Sequence, residues 1–519
     1  MSDSSAFFMV AGFFLLKVGT IRKKNTSHII LLNLMSACLT LLLWWLTGYG
    51  FAFGENKNHF ISGDERAFAS NKFTKNGVMS YLFVFHFALC TVTTSIVSGS
   101  LVERVNVHVF FGYCCFLAGF VYPAVAAWVW SPGGWLNERG FHDLAGTSVV
   151  HITGGFGGMI GAIVVGPRLL KQKRVHNIDR EQLCQEKDYI SILKTIDSEE
   201  DRIIFRKWFL LQLDEEIRPS NETYMALGTT ILFTAWIIYN SDNVIHSFLY
   251  DYYSDYDLDN PYKAMINTLL SGSVGGICTL YLKPLILRSS HPTTKFDIRN
   301  LCNGILVGCI AVTGISDNSE NWAAVIIGFF AALFYILGVY VSKKFRIDDP
   351  VDSFSVHGFG GICGTIAVAF FDNDSGIIFK NEKKGEYLGT QLIGLIVITG
   401  WTSVMSLIYF LPFRLCKIVR VSDSVELMGF DIAQMGSLSK KQMRKIRQEV
   451  MLSESEIQGR ADDKLQESEK NLKAENDSRF STNQVHPSNL AFERESQEVN
   501  GNHVNILPQR DGPRNNSHI

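Results

Sequence analysis

Apolar residues dominate the chain from about Ala6 to about Cys416, and a polar stretch follows that runs to the end. Within the first part they gather into runs near the length, roughly 20 residues, that a helix needs to cross a hydrocarbon core. Read in order, about eleven runs lie near 5–20, 27–50, 77–101, 108–130, 144–166, 223–240, 262–287, 300–315, 321–341, 355–371 and 387–416. The pattern predicts an all-α polytopic membrane protein, because helices satisfy their own backbone groups where lipid offers no partner.

Charge in the short loops orients the spans. RKKN (22–25), ERVNVH (103–108), GPRLLKQKR (166–174), KPLILRSSHPTTK (283–295) and SKKFR (342–346) fall on one side. The opposite loops are mixed or acidic, as in DYYSDYDLDN (251–260). Positive loops stay inside, so the C-terminus is expected in the cytoplasm and, with an odd number of spans, the N-terminus outside, at the plasma membrane. The first run leads directly into RKKN without a small-residue cleavage site, so no cleavable signal is read there. That run is short for a full span, which points to a clipped start.

Composition adds three constraints. The 519 residues carry 48 basic and 50 acidic side chains with no basic domain, so nucleic acid is not an expected partner. Most of the ten cysteines fall inside predicted spans, which favours small buried hydrophobes over disulfides. Residues 1–436 form the membrane domain, interrupted by a charged insert at about 171–219 to which no chemistry is assigned. Residues 437–519, rich in Lys, Glu, Asn and Ser, read as a polar, disordered cytoplasmic tail. Its KKQMRKIRQ stretch (440–448) has the charge to touch anionic membrane lipid, although a solvated tail suits it equally.

Two segments repeat. DLAGTSVVHITGGFGG starts at Asp143 and DPVDSFSVHGFGGICG at Asp349. Each places a histidine, His151 or His357, eight residues after the aspartate and just before closely spaced glycines. The copies lie in spans five and ten, so they cross in opposite directions, as in a five-plus-five inverted repeat whose site forms where the halves meet. Glycines let the helices approach, and the two rings can then meet. A single buried imidazole is as well explained by helix–helix bonding. Two at matching positions favour function, since ionisable groups within a membrane are costly and mark pathways.

Two neutral imidazoles in an apolar conduit offer hydrogen bonds and little else. A bare ion meets an idealised desolvation cost of order 20 kcal/mol there. Ammonium can leave a proton at the mouth and cross as the base; potassium has no proton to leave.

At this point the chain resembles the ammonium transporters of the Amt type, related to the Rhesus glycoproteins, from about residue 6 to about 436 outside the insert. The blocks that carry the resemblance are GTIRKKN (19–25), LWWLTGYGFAFG (43–54), IVSGSLVER (96–104), AAWVWSPGGWL (126–136), the two Asp/His segments and RVSDSVELMGFDIAQMG (420–436). The resemblance implies a homotrimer of eleven-helix subunits, each with its own pore. The implied cargo is ammonium or ammonia, with methylammonium as an analogue, and no cofactor or metal.

It also implies roles. Trp130 would recruit the cation on its ring face, helped by Asp143 and by Asn243, which stands where the family commonly has serine. An interfacial belt tryptophan would fit Trp128 or Trp135 as well as Trp130; only the resemblance singles out Trp130. By counting, the outer gate phenylalanine falls on Leu89, with Phe85 and Phe87 nearby, and the inner one becomes Tyr239; Phe85 and Tyr239 are expected to flank the entry. A leucine offers no π face, so a looser gate is expected. His86 stands where the family commonly has glutamine. His151 and His357 would line the pore. Gly429, Asp431 and Gly436 match a C-terminal segment that couples subunits, which suggests allosteric control and a cytoplasmic regulator. The rival reading is an ammonium sensor that signals through the insert and tail. No HExxH or serine-nucleophile motif lies near either histidine, so an enzyme is not read.

Overall fold

The computed structural model describes residues 3–56, 58–63, 69, 77–172, 180–214, 217–250, 259–287, 296–379, 384–434 and 438–481. The acidic loop 251–258 and Gly436 lie outside the described residues. The chain divides into two units, Met1–Val450 and Met451–Ile519.

Helices occupy all eleven stretches that the apolar pattern marked. Eight are long and apolar enough to cross a membrane, among them Lys23–Phe53, Val107–Trp130, Thr147–Val165 and Phe354–Phe371; Phe7–Thr20 and Ile298–Val312 are shorter apolar helices. Among the described residues the β pairing is limited to one isolated bridge, Val105 to Arg420.

Among the described residues four helices contain a π-helical turn: Trp44–Gly48, Leu117–Val121, Thr147–Ile152 and Phe354–Gly358. Such a turn widens the helix by one residue and is frequent at functional sites. The last two carry His151 and His357. Both histidine helices therefore begin with the same irregularity, four or five residues after an aspartate, and each histidine follows its aspartate by eight.

The two histidine helices pack through glycine. A Cβ added at Gly155 would run into the backbone of Gly358, and one at Gly361 would come within 2.6 Å of Ile152 and 2.8 Å of the Thr147 carbonyl. The relation is reciprocal, since a glycine of each helix rests on the histidine turn of the other. Reciprocal packing of this kind is what an inverted repeat produces. The first helices of the two halves, Asp3–Thr20 and Glu222–Tyr250, also cross closely, at Gly12 and Gly228.

One end of the bundle is fastened by buried charge. Glu103 accepts bonds from the Arg22 backbone at 2.7 Å, from Asn25 at 3.1 Å and from Arg168 at 2.6 Å. Arg168 also grips Asp348 with two nitrogens, at 2.8 and 2.9 Å. Burial pushes the Glu103 carboxyl up, but Arg22 and Arg168 outweigh it and hold the group at about 2. A buried ion pair of this sort is costly to break from one side.

The insert folds onto this same end. Its helices Lys187–Lys194 and Glu199–Leu211 bury Tyr189, Ile192, Phe205, Trp208 and Phe209 in a second apolar core. Leu427, Met428 and Ile432, together with Met443, Ile446 and Val450, close that core from the C-terminal side. Trp208 donates to Glu449 at 2.8 Å, and Arg447 donates to Asp201 at 2.8 Å. The expectation of a disordered tail is corrected for its first part. Residues Lys440–Ser481 form a helix, because the apolar positions Met443, Ile446 and Val450 share one face and find the insert to cover them. The composition average conceals that stripe.

Candidate functional site

Asp143 organises the first histidine helix. One carboxylate oxygen accepts from the backbone N–H groups of Gly146 and Thr147 at 2.9 and 2.8 Å, and the other from Ser148 and Val149 at 2.8 and 3.0 Å. All four otherwise unpaired donors of a helix start are thus served by one side chain. Gly146 enters the turn with φ of 94°, a conformation that a Cβ would disfavour. Asp349 accepts from the backbone of Phe354 at 2.7 Å in the second copy.

These caps fix the histidines. Nδ1 of His151 lies 3.1 Å from Nδ1 of His357, and both rings are buried. A contact between two ring nitrogens needs one N–H and one lone pair, so the rings share a proton and cannot both be imidazolium. His151 lies face to face with Trp236, 5.2 Å between centroids, and His357 lies 5.5 Å from Phe13. Trp236 is itself held by a 2.8 Å bond to Thr313. Among the described residues the buried Nε2 of His151 has no hydrogen-bond partner. A cargo that gives or takes one hydrogen bond fits that atom.

The recruitment candidates gather at the other end of Asp143. The Trp130 indole donates to the Asp143 carbonyl at 2.7 Å, so the residue that caps the histidine helix also orients the tryptophan. The imidazole of His86 lies 5.4 Å from the Trp130 ring and 4.2 Å from Phe53. Phe85 and Tyr239 stack nearly parallel at 6.3 Å, and the Tyr239 hydroxyl donates to the Ala145 carbonyl. Phe87 turns away to meet Phe7, 5.8 Å distant, and Leu89 is buried in the same core. The ring that pairs with Tyr239 is therefore Phe85, four residues before the position reached by counting. Asn243 is buried and donates to the Tyr239 carbonyl one turn back along its own helix, at 2.9 Å.

The C-terminal candidates lie apart, at the Glu103 end. Asp431 caps the helix that starts at Thr26, accepting from Ser27 and His28 at 3.0 and 2.9 Å. Gly429 has φ of 88°, and a Cβ there would meet the Lys24 side chain at 2.6 Å. Phe430 stacks on His28 at 3.9 Å.

A sequence profile described as the Ammonium Transporter Family matches residues 1–185 and 206–439. The chain belongs to that family. The unmatched stretch falls within the insert, as expected for an addition to the family's common body. The chain is 30% identical to ammonium transporter 1 member 1 of Arabidopsis thaliana over 451 residues, covering 82% of this chain and 81% of that one. It is 28% identical to a putative ammonium transporter of Synechocystis, covering 83% and 86%. Among solved structures, a protein titled Sensor Amt Protein superposes with a TM-score of 0.68 at 25% identity, over 84% of this chain and 96% of that one. Saccharomyces cerevisiae Mep2 superposes with a TM-score of 0.63 at 23% identity, over 81% and 86%, which shows the shared fold.

Sequence reasoning missed three members of the histidine neighbourhood. Phe13 and Trp236 sit in apolar runs without any mark of their own. Lys17 had a mark that went unread, a lysine inside GFFLLKVG, and it is buried with the rest.

A cavity of about 630 Å³ opens at the Glu103 end, lined by Thr20, Lys283, Arg299, Asp349 and Asp352 among others. Burial, helped by the neighbouring Asp352, pushes the Asp349 carboxyl up to about 6.

Proposed function

We propose that this chain carries ammonium across a membrane, as ammonia during the dry part of the passage, and that it accepts methylammonium as an analogue. The observation that supports this reading best is the pair of imidazoles from opposed repeats, 3.1 Å apart and walled by Trp236 and Phe13. Trp130 offers the cation a ring face at the outer end, an attraction that strengthens as the ion sheds water. Asp143 positions both that ring and the histidine helix, and Asn243 lies one turn beyond Tyr239 on the same helix. Phe85 and Tyr239 flank the way in, and Leu89 is buried in the core. Past that point His151 and His357 supply the hydrogen bonds that water no longer gives.

The same reading places the C-terminus in the cytoplasm, the N-terminus outside and the protein in the plasma membrane as a homotrimer. Gly429, Asp431 and Gly436 then belong to a cytoplasmic segment through which a regulator or a neighbouring subunit acts. A yeast strain lacking its own ammonium transporters, grown on low ammonium, tests the proposal. Growth with saturable methylammonium uptake is the expected result. Surface expression and ammonium binding without uptake would favour the sensor reading instead.

A further inference from the structure

Lys17 is a charged side chain that the transport scheme does not use. It projects from the first helix one turn beyond Phe13 and is 2% exposed. Its three N–H groups face four oxygens within hydrogen-bond distance, Asn33 Oδ1 at 2.9 Å, Ser95 Oγ at 2.6 Å, Ser98 Oγ at 2.8 Å and the Ser95 carbonyl, so one of the N–H groups is shared. Ser98 spends its own proton on the Ser95 carbonyl at 2.7 Å, so its oxygen faces Lys17 as an acceptor. Neutral oxygens thus surround the nitrogen, and among the described residues no carboxylate forms an ion pair with it. An ammonium with three N–H donors fits such a cradle, and its charge is solvated there without being cancelled.

The position matters more than the cradle. The Lys17 nitrogen lies 6.0 Å from the Phe13 ring centroid, and that centroid lies 5.5 Å from the His357 ring, so the charge sits less than about 12 Å from the histidine pair. It lies on the side toward Arg22 and Glu103, one helical turn along, and away from Trp130. A cation leaving the histidines toward that side approaches the Lys17 ammonium held in its cradle of oxygens and is repelled by it; a neutral molecule is not.

We propose that Lys17 makes the leg of the conduit between the histidine pair and the Glu103 end selective against cations, so that cargo leaves the histidines as ammonia. The proton released from ammonium on the Trp130 side stays on that side, and ammonia takes up another from the solution it reaches. Net movement is then of the neutral base. This rests on the transport reading above and adds to it a specificity-determining residue for charge.

The test measures ammonium-evoked current and methylammonium tracer uptake in the same oocytes, for the unaltered chain and for Lys17→Met, Lys17→Gln and Lys17→Arg, with surface protein quantified. The unaltered chain and Lys17→Arg are expected to move less than about a tenth of a charge per molecule. Either neutral variant is expected to raise that ratio about tenfold, the size that one charge acting across roughly 10 Å at an effective dielectric near 20 supplies. An unaltered chain that already carries one charge per molecule overturns the assignment, and so does an unchanged ratio in a neutral variant that still takes up tracer. Loss of the folded protein in both neutral variants, with Lys17→Arg intact, assigns the residue to structure alone and likewise overturns it. Absence of uptake by the unaltered chain brings down the transport reading itself.

Discussion

His151 and His357 are separated by 206 positions in the chain and by 3.1 Å in space. Each stands in a π-helical turn, eight residues after the aspartate that caps the start of that turn. The meeting depends on glycine, because any side chain at Gly155 would collide with the backbone of the opposite turn.

Replacing His151 by alanine leaves the His357 ring nitrogen without its partner and opens a polar gap in an apolar wall. Methylammonium uptake is expected to fall at least tenfold at unchanged surface level, and His357→Ala should match it. Uptake that survives both changes would assign the rings to helix–helix bonding.

Asp143→Ala strips the acceptor from four backbone donors, each buried and without another partner. An unmet buried donor costs about 1–3 kcal/mol, so the variant should lose surface expression or thermal stability in detergent. Asp143→Asn keeps one carbonyl oxygen and should retain part of both. Equal behaviour of the two variants would show that the cap is not what Asp143 contributes.

Trp130→Leu keeps apolar bulk and removes the π face. Cation–π attraction at a partly desolvated site is about 0.5–2 kcal/mol, so KM for methylammonium should rise about two- to thirtyfold with maximal uptake little changed. A fall in maximal uptake with KM unaltered would place Trp130 in the architecture instead.

Two carboxylates give opposite dependences of stability on pH. Glu103, held at about 2 against an ordinary 4.5, stabilises the fold fully above about 4.5 and loses that contribution as pH falls through 2. Asp349, raised to about 6 from an ordinary 3.8, contributes below about 3.8 and loses it as pH rises through 6. Thermal unfolding followed across pH should show Glu103→Gln destabilised at neutral pH with a flattened acid limb. Asp349→Asn should remove the decline between about 4 and 6, and a variant curve parallel to the parent would contradict the assignment.

Trp208 ties the insert to the C-terminal side through its burial and its bond to Glu449. Trp208→Ala should cost about 3–5 kcal/mol of local stability, the range for a buried aromatic, seen as faster proteolysis of the insert and tail. Arg447→Ala removes an ion pair whose arginine is about a third exposed and should change little. Similar protease sensitivity in both would show that charge, not packing, holds the segment.

The apolar runs were enough to predict a helix at each of the stretches they marked, since lipid leaves a helix as the only way to satisfy a lone backbone segment. The Asp143 and Asp349 repeat was enough to name the histidines, because spacing along the chain survives folding. The gate candidates show where counting stops: it reaches Leu89, whereas Phe85, already expected at the entry, is the ring that stacks on Tyr239, since which face of the Gly77–Leu101 helix turns toward Tyr239 is set by neighbouring helices. The tail helix was hidden for a related reason, as its apolar stripe acquires meaning only once the insert lies against it. Lys17 was visible as a letter, but its neutral cradle is assembled from Asn33, Ser95 and Ser98 on two other helices. The sequence by itself determined the elements, their order and the paired chemistry, because those follow from local composition and from covalent spacing. Only the tertiary structure decided which side chains meet, because proximity between helices depends on their rotation and depth, and many contacts far apart in the chain set both together.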